Sequence, residues 1–323
     1  MSIAHDALAL AAAGRAEEAI ARLEDDGSAA ARLTLGLWRI EGRHLPRDLG
    51  LARADFAAAA DFGDAGAARV LSALLATGAG GTRDWPAALA LLDTWADRDP
   101  IAARQHNLIA AMDLDGAGDP HSLPDARQLS DTPDVRTVPA LFTPAECGFL
   151  ADTAAPRLKP ARIFHEGRGE WIADPIRQSR AAGFPLVAEW PAVHALNRRL
   201  AAATGTATEQ GEPLQVLRYV PGDRYAPHLD AVPGLANQRV LTALVYLNDD
   251  YAGGETRFPR AGLTFRGQPG DALIFANTTP GGAPDQASEH EGCPVTTGTK
   301  LLASRWIRAR PPGPDGFGPD EAR

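Results

Sequence analysis

The chain has 323 residues, 45% apolar and 23% charged, which is the composition of an ordinary globular protein with room for one large or two modest domains. Its 32 basic and 41 acidic side chains leave a net charge of −9, arguing against a surface built to neutralise nucleic-acid phosphates or anionic lipid. Two cysteines, Cys147 and Cys293, are too few for a disulfide framework, and no apolar run of about 18 residues is present to span a bilayer, so no membrane role and a reducing, cytoplasmic location are expected.

In chain order, the stretch Met1 to Ala13 lacks the basic leader and cleavage signal of an export sequence and reads as the first helix of a domain. Residues 1–112 are rich in Ala and Leu at helical spacing. Within them Ala-Ala-Arg recurs at 30–32, 67–69 and 102–104, and Asp48 and Asp84, 36 residues apart, each open an apolar-periodic run. A period near 36 is the length of one helix–turn–helix unit, so about three stacked helical hairpins are expected. Residues 113–135, with Gly116, Gly118, Pro120, Pro124 and Pro133, read as a linker. Thr143-Pro144-Ala145-Glu146 has the N-cap, proline and third-position glutamate that start a helix, and Ala192 to Ala203 is a second helix candidate.

After that helix the pattern changes to short strands punctuated by Gly and Pro: Leu214–Val220, Tyr225–Leu229, Val240–Leu247, Glu255–Phe258, Leu263–Arg266, Ala272–Ala276, Pro294–Thr297 and Lys300–Arg308. Such spacing predicts a β-sandwich or barrel of jelly-roll type. The fold class is therefore α+β, with a helical array over 1–112, a linker over 113–135, a strand-rich domain over 136–310 and a disordered tail over 311–323.

The sharpest chemical signal is His228-Leu229-Asp230, since strand alternation puts both side chains on one face, roughly 7 Å apart along the backbone and able to share a cation. A His-x-Asp pair alone is unspecific. His290, just before the last pair of strands, supplies a third donor, and two histidines with one carboxylate form the facial set used for non-haem Fe(II), leaving three coordination positions open. Of the 32 basic residues only Lys159 and Lys300 are lysines, which marks both in a chain that otherwise uses arginine.

The run Gln215-Val216-Leu217-Arg218-Tyr219-Val220-Pro221-Gly222 through Pro227-His228-Leu229-Asp230 resembles the first metal-bearing segment of the prolyl 4-hydroxylase group of 2-oxoglutarate-dependent Fe(II) oxygenases. The resemblance continues in order through Arg239-Val240-Leu241-Thr242, Tyr246-Leu247-Asn248-Asp249-Asp250, Gly253-Gly254-Glu255-Thr256 and Gly270-Asp271-Ala272-Leu273. It ends with Ser288-Glu289-His290, Gly292-Cys293-Pro294-Val295, Gly298-Thr299-Lys300 and Trp306-Ile307-Arg308. It implies a double-stranded β-helix (jelly roll) carrying His228, Asp230 and His290 as iron ligands. Lys300 then holds the distal carboxylate of 2-oxoglutarate, Tyr219, Thr242, Tyr246 and Trp306 line the co-substrate pocket, and Arg239 and Asn248 have structural roles. Co-substrates are 2-oxoglutarate and O2, with L-ascorbate as accessory reductant. The implied reaction hydroxylates an aliphatic C–H, foremost of a prolyl residue in a protein or peptide, with release of succinate and CO2.

The helical third of the chain is similar to tetratricopeptide-related repeats of the Sel type, which implies a surface that docks the protein substrate or another partner. The segment His165-Glu166-Gly167-Arg168, with Trp171 and Arg177 to Arg180, lies where the family carries a loop over the substrate channel. Hydroxylation of a free amino acid or other small molecule and a non-catalytic interaction module are the competing readings. A nucleic-acid demethylase is disfavoured by the charge of −9.

Overall fold

The computed structural model describes residues 3–165, 170–173 and 176–312. Glu166, Gly167 and Arg168 of the expected channel loop, and the expected tail from residue 313 onward, lie outside the described residues. The chain divides into two compact units, Met1–Asp119 with Pro185–Ala195, and Pro120–Phe184 with Leu196–Arg323.

The first unit contains α1 (Ile3–Ala12), α2 (Ala16–Asp26), α3 (Ala29–Glu41), α4 (Leu49–Asp61), α5 (Ala65–Thr77), α6 (Trp85–Trp95) and α7 (Pro100–Ala110). Ser28, Asp64 and Asp99 cap α3, α5 and α7 at intervals of 36 and 35 residues, while Asp48 and Asp84 cap α4 and α6. Each side chain takes an otherwise unpaired N–H of the first turn, a contact worth about 1 kcal/mol. Gly42 and Gly78, also 36 apart, end α3 and α5 in the left-handed conformation.

Alanines make the close packing possible, with Ala31, Ala52, Ala59, Ala67 and Ala73 fully buried around Leu35, Phe56 and Leu74. The arginine of the first two Ala-Ala-Arg tripeptides has a structural task. Arg32, with Arg39, pairs with buried Asp55, and Arg69 donates to buried Asp99 at 2.7 Å. Such a buried carboxylate is tolerated only because it is paired.

The second unit contains β1 (Arg127–Asp131), β2 (Asp134–Val138), α8 (Pro144–Ala154), β3 (Lys159–Pro160), β4 (Arg162–His165), β5 (Glu170–Ala173), β6 (Arg180–Gly183) and most of α9 (Pro191–Thr204). Its strands continue with β7 (Gln215–Tyr219), β8 (Tyr225–His228), β9 (Arg239–Tyr246), β10 (Tyr251–Gly253), β11 (Thr256–Phe258) and β12 (Leu263–Phe265). They end with β13 (Ala272–Ala276), β14 (His290–Gly292), β15 (Val295–Gly298) and β16 (Lys300–Arg308). The capping box at Thr143 and Glu146 starts α8 as the sequence implies.

The hairpin β1–β2 falls within or at the edge of the stretch expected to be linker. Val135, Thr137 and Val138 are buried as β2 pairs with β13, so this segment is sheet and not linker.

The major sheet has the order β1-β2-β13-β9-β16-β7-β6-β3 and the minor sheet β12-β11-β14-β8, all neighbours antiparallel. The inner faces of the two sheets share one core, in which Leu217, Leu244, Tyr246, Leu273, Phe275 and Leu302 from the major sheet meet Phe258 from the minor. Phe258 and Phe275 stand edge-on at 5.1 Å. This is a jelly roll, two facing antiparallel sheets, and its interior is where the expected site residues converge.

Candidate metal centre and co-substrate cleft

Two strands of the minor sheet bring the distant histidines together. β8 and β14 pair so that His228 lies directly opposite His290, and their rings stand 4.3 Å apart. Asp230 follows β8 by two residues. One donor atom from each of His228, Asp230 and His290 falls within 4.8 Å of the others, the one such His/Cys/Asp/Glu cluster among the described residues.

Each imidazole is oriented through its far nitrogen. His228 Nδ1 donates to Ala226 O at 2.8 Å and His290 Nδ1 to Ser288 O at 3.0 Å, so both rings carry their proton on Nδ1 and turn an Nε2 lone pair inward. Both Nε2 atoms lie 3.6 Å from an oxygen of Asp230, beyond hydrogen-bond reach, and His228 Nε2 is buried with no hydrogen-bond partner. Two inward Nε2 atoms and a carboxylate, with no hydrogen bond among them, form a donor set that fits a divalent cation.

The electrostatics agree. Burial pushes His290 down to about 4, leaving it at neutral pH in the neutral form that can bind a metal. Burial by itself would raise the Asp230 carboxyl, but the neighbouring histidines and the Thr242 hydroxyl outweigh it and hold the group ionised.

The cleft beside the triad is lined by Tyr219, Thr256, Lys300, Leu217, Leu244, Leu302, Ser304 and Trp306, with Arg177, Tyr225 and Glu291 also on its wall. Lys300 opens β16 opposite Tyr219 and is 3% exposed. Its ammonium donates to Gly254 O at 2.6 Å and lies 5.7 and 5.2 Å from the rings of Tyr219 and Tyr246. Burial lowers its pKa to about 8.

Two structural details deliver that side chain. Gly254 has φ +70°, and a Cβ there would come 3.1 Å from Lys300 Cδ and from Val295 Cγ2, so glycine is required for the carbonyl to meet the ammonium. Asn248 donates to Thr299 O at 2.6 Å and accepts from Leu301 N at 2.7 Å, clamping the residues on both sides of Lys300.

The remaining sequence-derived site residues divide. Tyr219 and Trp306 line the cleft, and the Arg239 guanidinium lies 3.8 Å over the Trp306 ring while bonding both oxygens of Glu212 at 2.7 and 2.9 Å. Thr242 is not on the cleft wall; its hydroxyl donates instead to Asp230 Oδ2 at 2.6 Å. Tyr246 is fully buried and contacts the cleft indirectly, its hydroxyl paired with that of Thr256 at 2.8 Å.

Thr256 itself was not singled out from sequence. The signal available was its place at the start of a strand directly after Gly253-Gly254-Glu255, on the inward face of a buried–exposed–buried strand. Arg177, part of the expected channel loop, also borders the cleft, its guanidinium 5.7 Å from the Tyr225 ring.

Residues 214–308 match the family model of the 2OG-Fe(II) oxygenase superfamily. The chain is 32% identical over 201 residues to prolyl 4-hydroxylase 1 of Arabidopsis thaliana, covering 56% of this chain and 71% of that protein. It is 30% identical over 190 residues to the prolyl 4-hydroxylase subunit alpha-1 of Rattus norvegicus, covering 56% of this chain and 35% of that one. Among solved structures, the viral collagen prolyl hydroxylase of Paramecium Bursaria Chlorella virus-1 in its 2OG complex is similar at 23% identity and a TM-score of 0.44, covering 55% of this chain and 96% of that one.

Proposed function

The chain belongs to the prolyl 4-hydroxylase family of Fe(II)- and 2-oxoglutarate-dependent dioxygenases, and we propose that it hydroxylates a prolyl residue of a protein or peptide. The observation that carries this reading is one cleft holding both an inward-facing triad of metal donors and a buried ammonium beside a single backbone carbonyl. Iron and 2-oxoglutarate bound there supply oxidative decarboxylation with O2, yielding succinate, CO2 and a hydroxyl group on the substrate carbon.

The chain's own residues hold and orient. His228, Asp230 and His290 would hold the metal on one side, leaving the opposite side to co-substrate and O2. Lys300 would pair with the distal carboxylate in a dry setting, where a charge-assisted bond is strong. Leu217, Leu244 and Leu302 give the cleft an apolar wall that excludes water, and no side chain is needed as a general acid or base.

The helical unit, whose caps recur every 35–36 residues, is the part of this reading that docks a polypeptide substrate. Among the described residues no helix is long and apolar enough to cross a membrane. The two cysteines support a reducing, cytoplasmic setting.

The test is turnover of the full chain with Fe(II), 2-oxoglutarate and ascorbate on a panel of proline-containing polypeptides of increasing length, with free proline beside them. Mass increases of one oxygen on proline, lost in His228→Ala and falling in KM with polypeptide length, are expected. Hydroxylation of free proline alone, or of a residue other than proline, would overturn the substrate assignment.

A further inference from the structure

Each metal donor is oriented by one hydrogen bond on the side away from the metal, but the carboxylate is held differently from the histidines. The imidazoles use backbone carbonyls two residues earlier, Ala226 within β8 and Ser288 in the turn just before β14. Asp230 lies beyond the end of β8, where no ladder fixes its side chain. Its holder comes from the facing sheet, on β9: Thr242 Oγ1 donates to Oδ2 at 2.6 Å, the length of a charge-assisted O–H···O bond.

A hydroxyl has one proton to give and can turn it elsewhere. Asn277, immediately after β13, settles the direction. Its Nδ2 donates to Thr242 Oγ1 at 2.9 Å, while its own Oδ1 is farther away at 3.3 Å. The amide is anchored by its backbone, with Asn277 N donating to Val240 O and Asn277 O accepting from Asp285 N, both at 2.9 Å. Asn277, Thr242 and Asp230 are 0%, 1% and 4% exposed, so no water competes.

We propose that Thr242 and Asn277 are positioning residues that keep Asp230 a one-oxygen ligand: Asn277 orients the Thr242 hydroxyl, which takes a lone pair of Oδ2, the oxygen 3.6 Å from His290 Nε2, and so favours Oδ1, 3.6 Å from His228 Nε2, as the metal-binding atom. The consequence is functional, because a carboxylate binding through both oxygens takes a coordination position that co-substrate and O2 need. This inference rests on the reading of His228, Asp230 and His290 as the metal centre.

The test uses Co(II) as a redox-stable probe of the full chain, reading its affinity and its visible ligand-field spectrum, which responds to coordination number. Thr242→Val should weaken Co(II) binding about 10-fold or more and alter the spectrum, and Thr242→Ser should restore both. Asn277→Ala should change the spectrum in the same sense, yet add no further loss in the Thr242→Val background, because it acts through the hydroxyl. Unchanged affinity and spectrum in Thr242→Val, or additive losses in the double variant, would overturn the proposal.

If Thr242→Val fails to fold, Asn277→Ala with the hydroxyl intact decides, since an unchanged spectrum there is equally fatal. Failure of the underlying centre looks different. Wild type and His228→Ala would then bind Co(II) alike, whereas failure of the positioning role leaves His228→Ala dead and Thr242→Val indistinguishable from wild type.

Discussion

Lys300→Met should make the metal-free protein more stable at neutral pH while disabling the co-substrate site. Burial lowers the Lys300 pKa from 10.5 to about 8, a displacement corresponding to about 3 kcal/mol. The sign follows from proton counting. Between pH 8 and 10.5 the unfolded chain holds the proton that the folded chain has lost, so stability rises with pH in this window. The cost of burying Lys300 is thus present in full below pH 8 and is gone above 10.5.

Methionine keeps much of the aliphatic volume and removes the charge, but it strands Gly254 O, whose bond to the ammonium is 2.6 Å, at a penalty of about 1–2 kcal/mol. The balance is a variant more stable than wild type by about 1–2 kcal/mol at pH 7 and less stable by a similar amount near pH 10.5. Denaturant unfolding of the two proteins at both pH values measures it. A variant less stable at pH 7, or a difference that does not change with pH, would refute the idea that Lys300 is a charge kept in the interior for a ligand. With 2-oxoglutarate the order reverses, because the variant should need roughly 10–100-fold more co-substrate for lack of a charge-assisted bond.

Three further outcomes are expected. Wild-type affinity for 2-oxoglutarate should fall as pH rises above about 8, by at most about tenfold per unit, as the Lys300 ammonium loses its proton; calorimetry across pH 7–10 reads it, and a flat profile counts against the ion pair. Gly254→Ala forces a Cβ to 3.1 Å from Lys300 Cδ at φ +70°, so it should both destabilise the fold by about 1–2 kcal/mol and raise the co-substrate requirement, seen in melting and in KM. Glu212→Gln leaves buried Arg239 without its carboxylate and should cost about 3–5 kcal/mol in chemical denaturation, with Trp306 fluorescence reporting the loosened ring beneath the guanidinium.

What could be read from sequence was what is local. Capping residues are local, so Asp48, Asp84 and Thr143 sit where helix chemistry demands, and the strand runs from Leu214 onward fall within a residue or two of β7 to β9. The short strand β14 was not legible, because His290-Glu291-Gly292 carries no apolar or β-branched residue; it exists through pairing with β8 and β11, which also sets His290 against His228. The hairpin at Arg127–Val138 was hidden for the same reason, since the Thr132-Pro133 turn and acidic flanks look like linker until β2 docks on β13.

Thr242 shows the limit of face arguments most clearly. Alternation along β9 puts Thr242, Leu244 and Tyr246 on one inward face, but it does not say how far along the cleft each one reaches. Leu244 reaches the co-substrate wall, Tyr246 stops at Thr256, and Thr242 meets Asp230. Those depths are set by the offset between two facing sheets, a quantity encoded in the packing of Phe258 against Phe275 and not in any strand by itself. Lysine scarcity was informative for a complementary reason. Lys159 is exposed and Lys300 is buried, so the composition marked two positions and burial distinguishes the one where a compact ammonium matters. A site residue was therefore legible where its identity alone constrained its role, as for a metal donor or an isolated lysine, and illegible where its role depends on what another sheet brings within 3 Å.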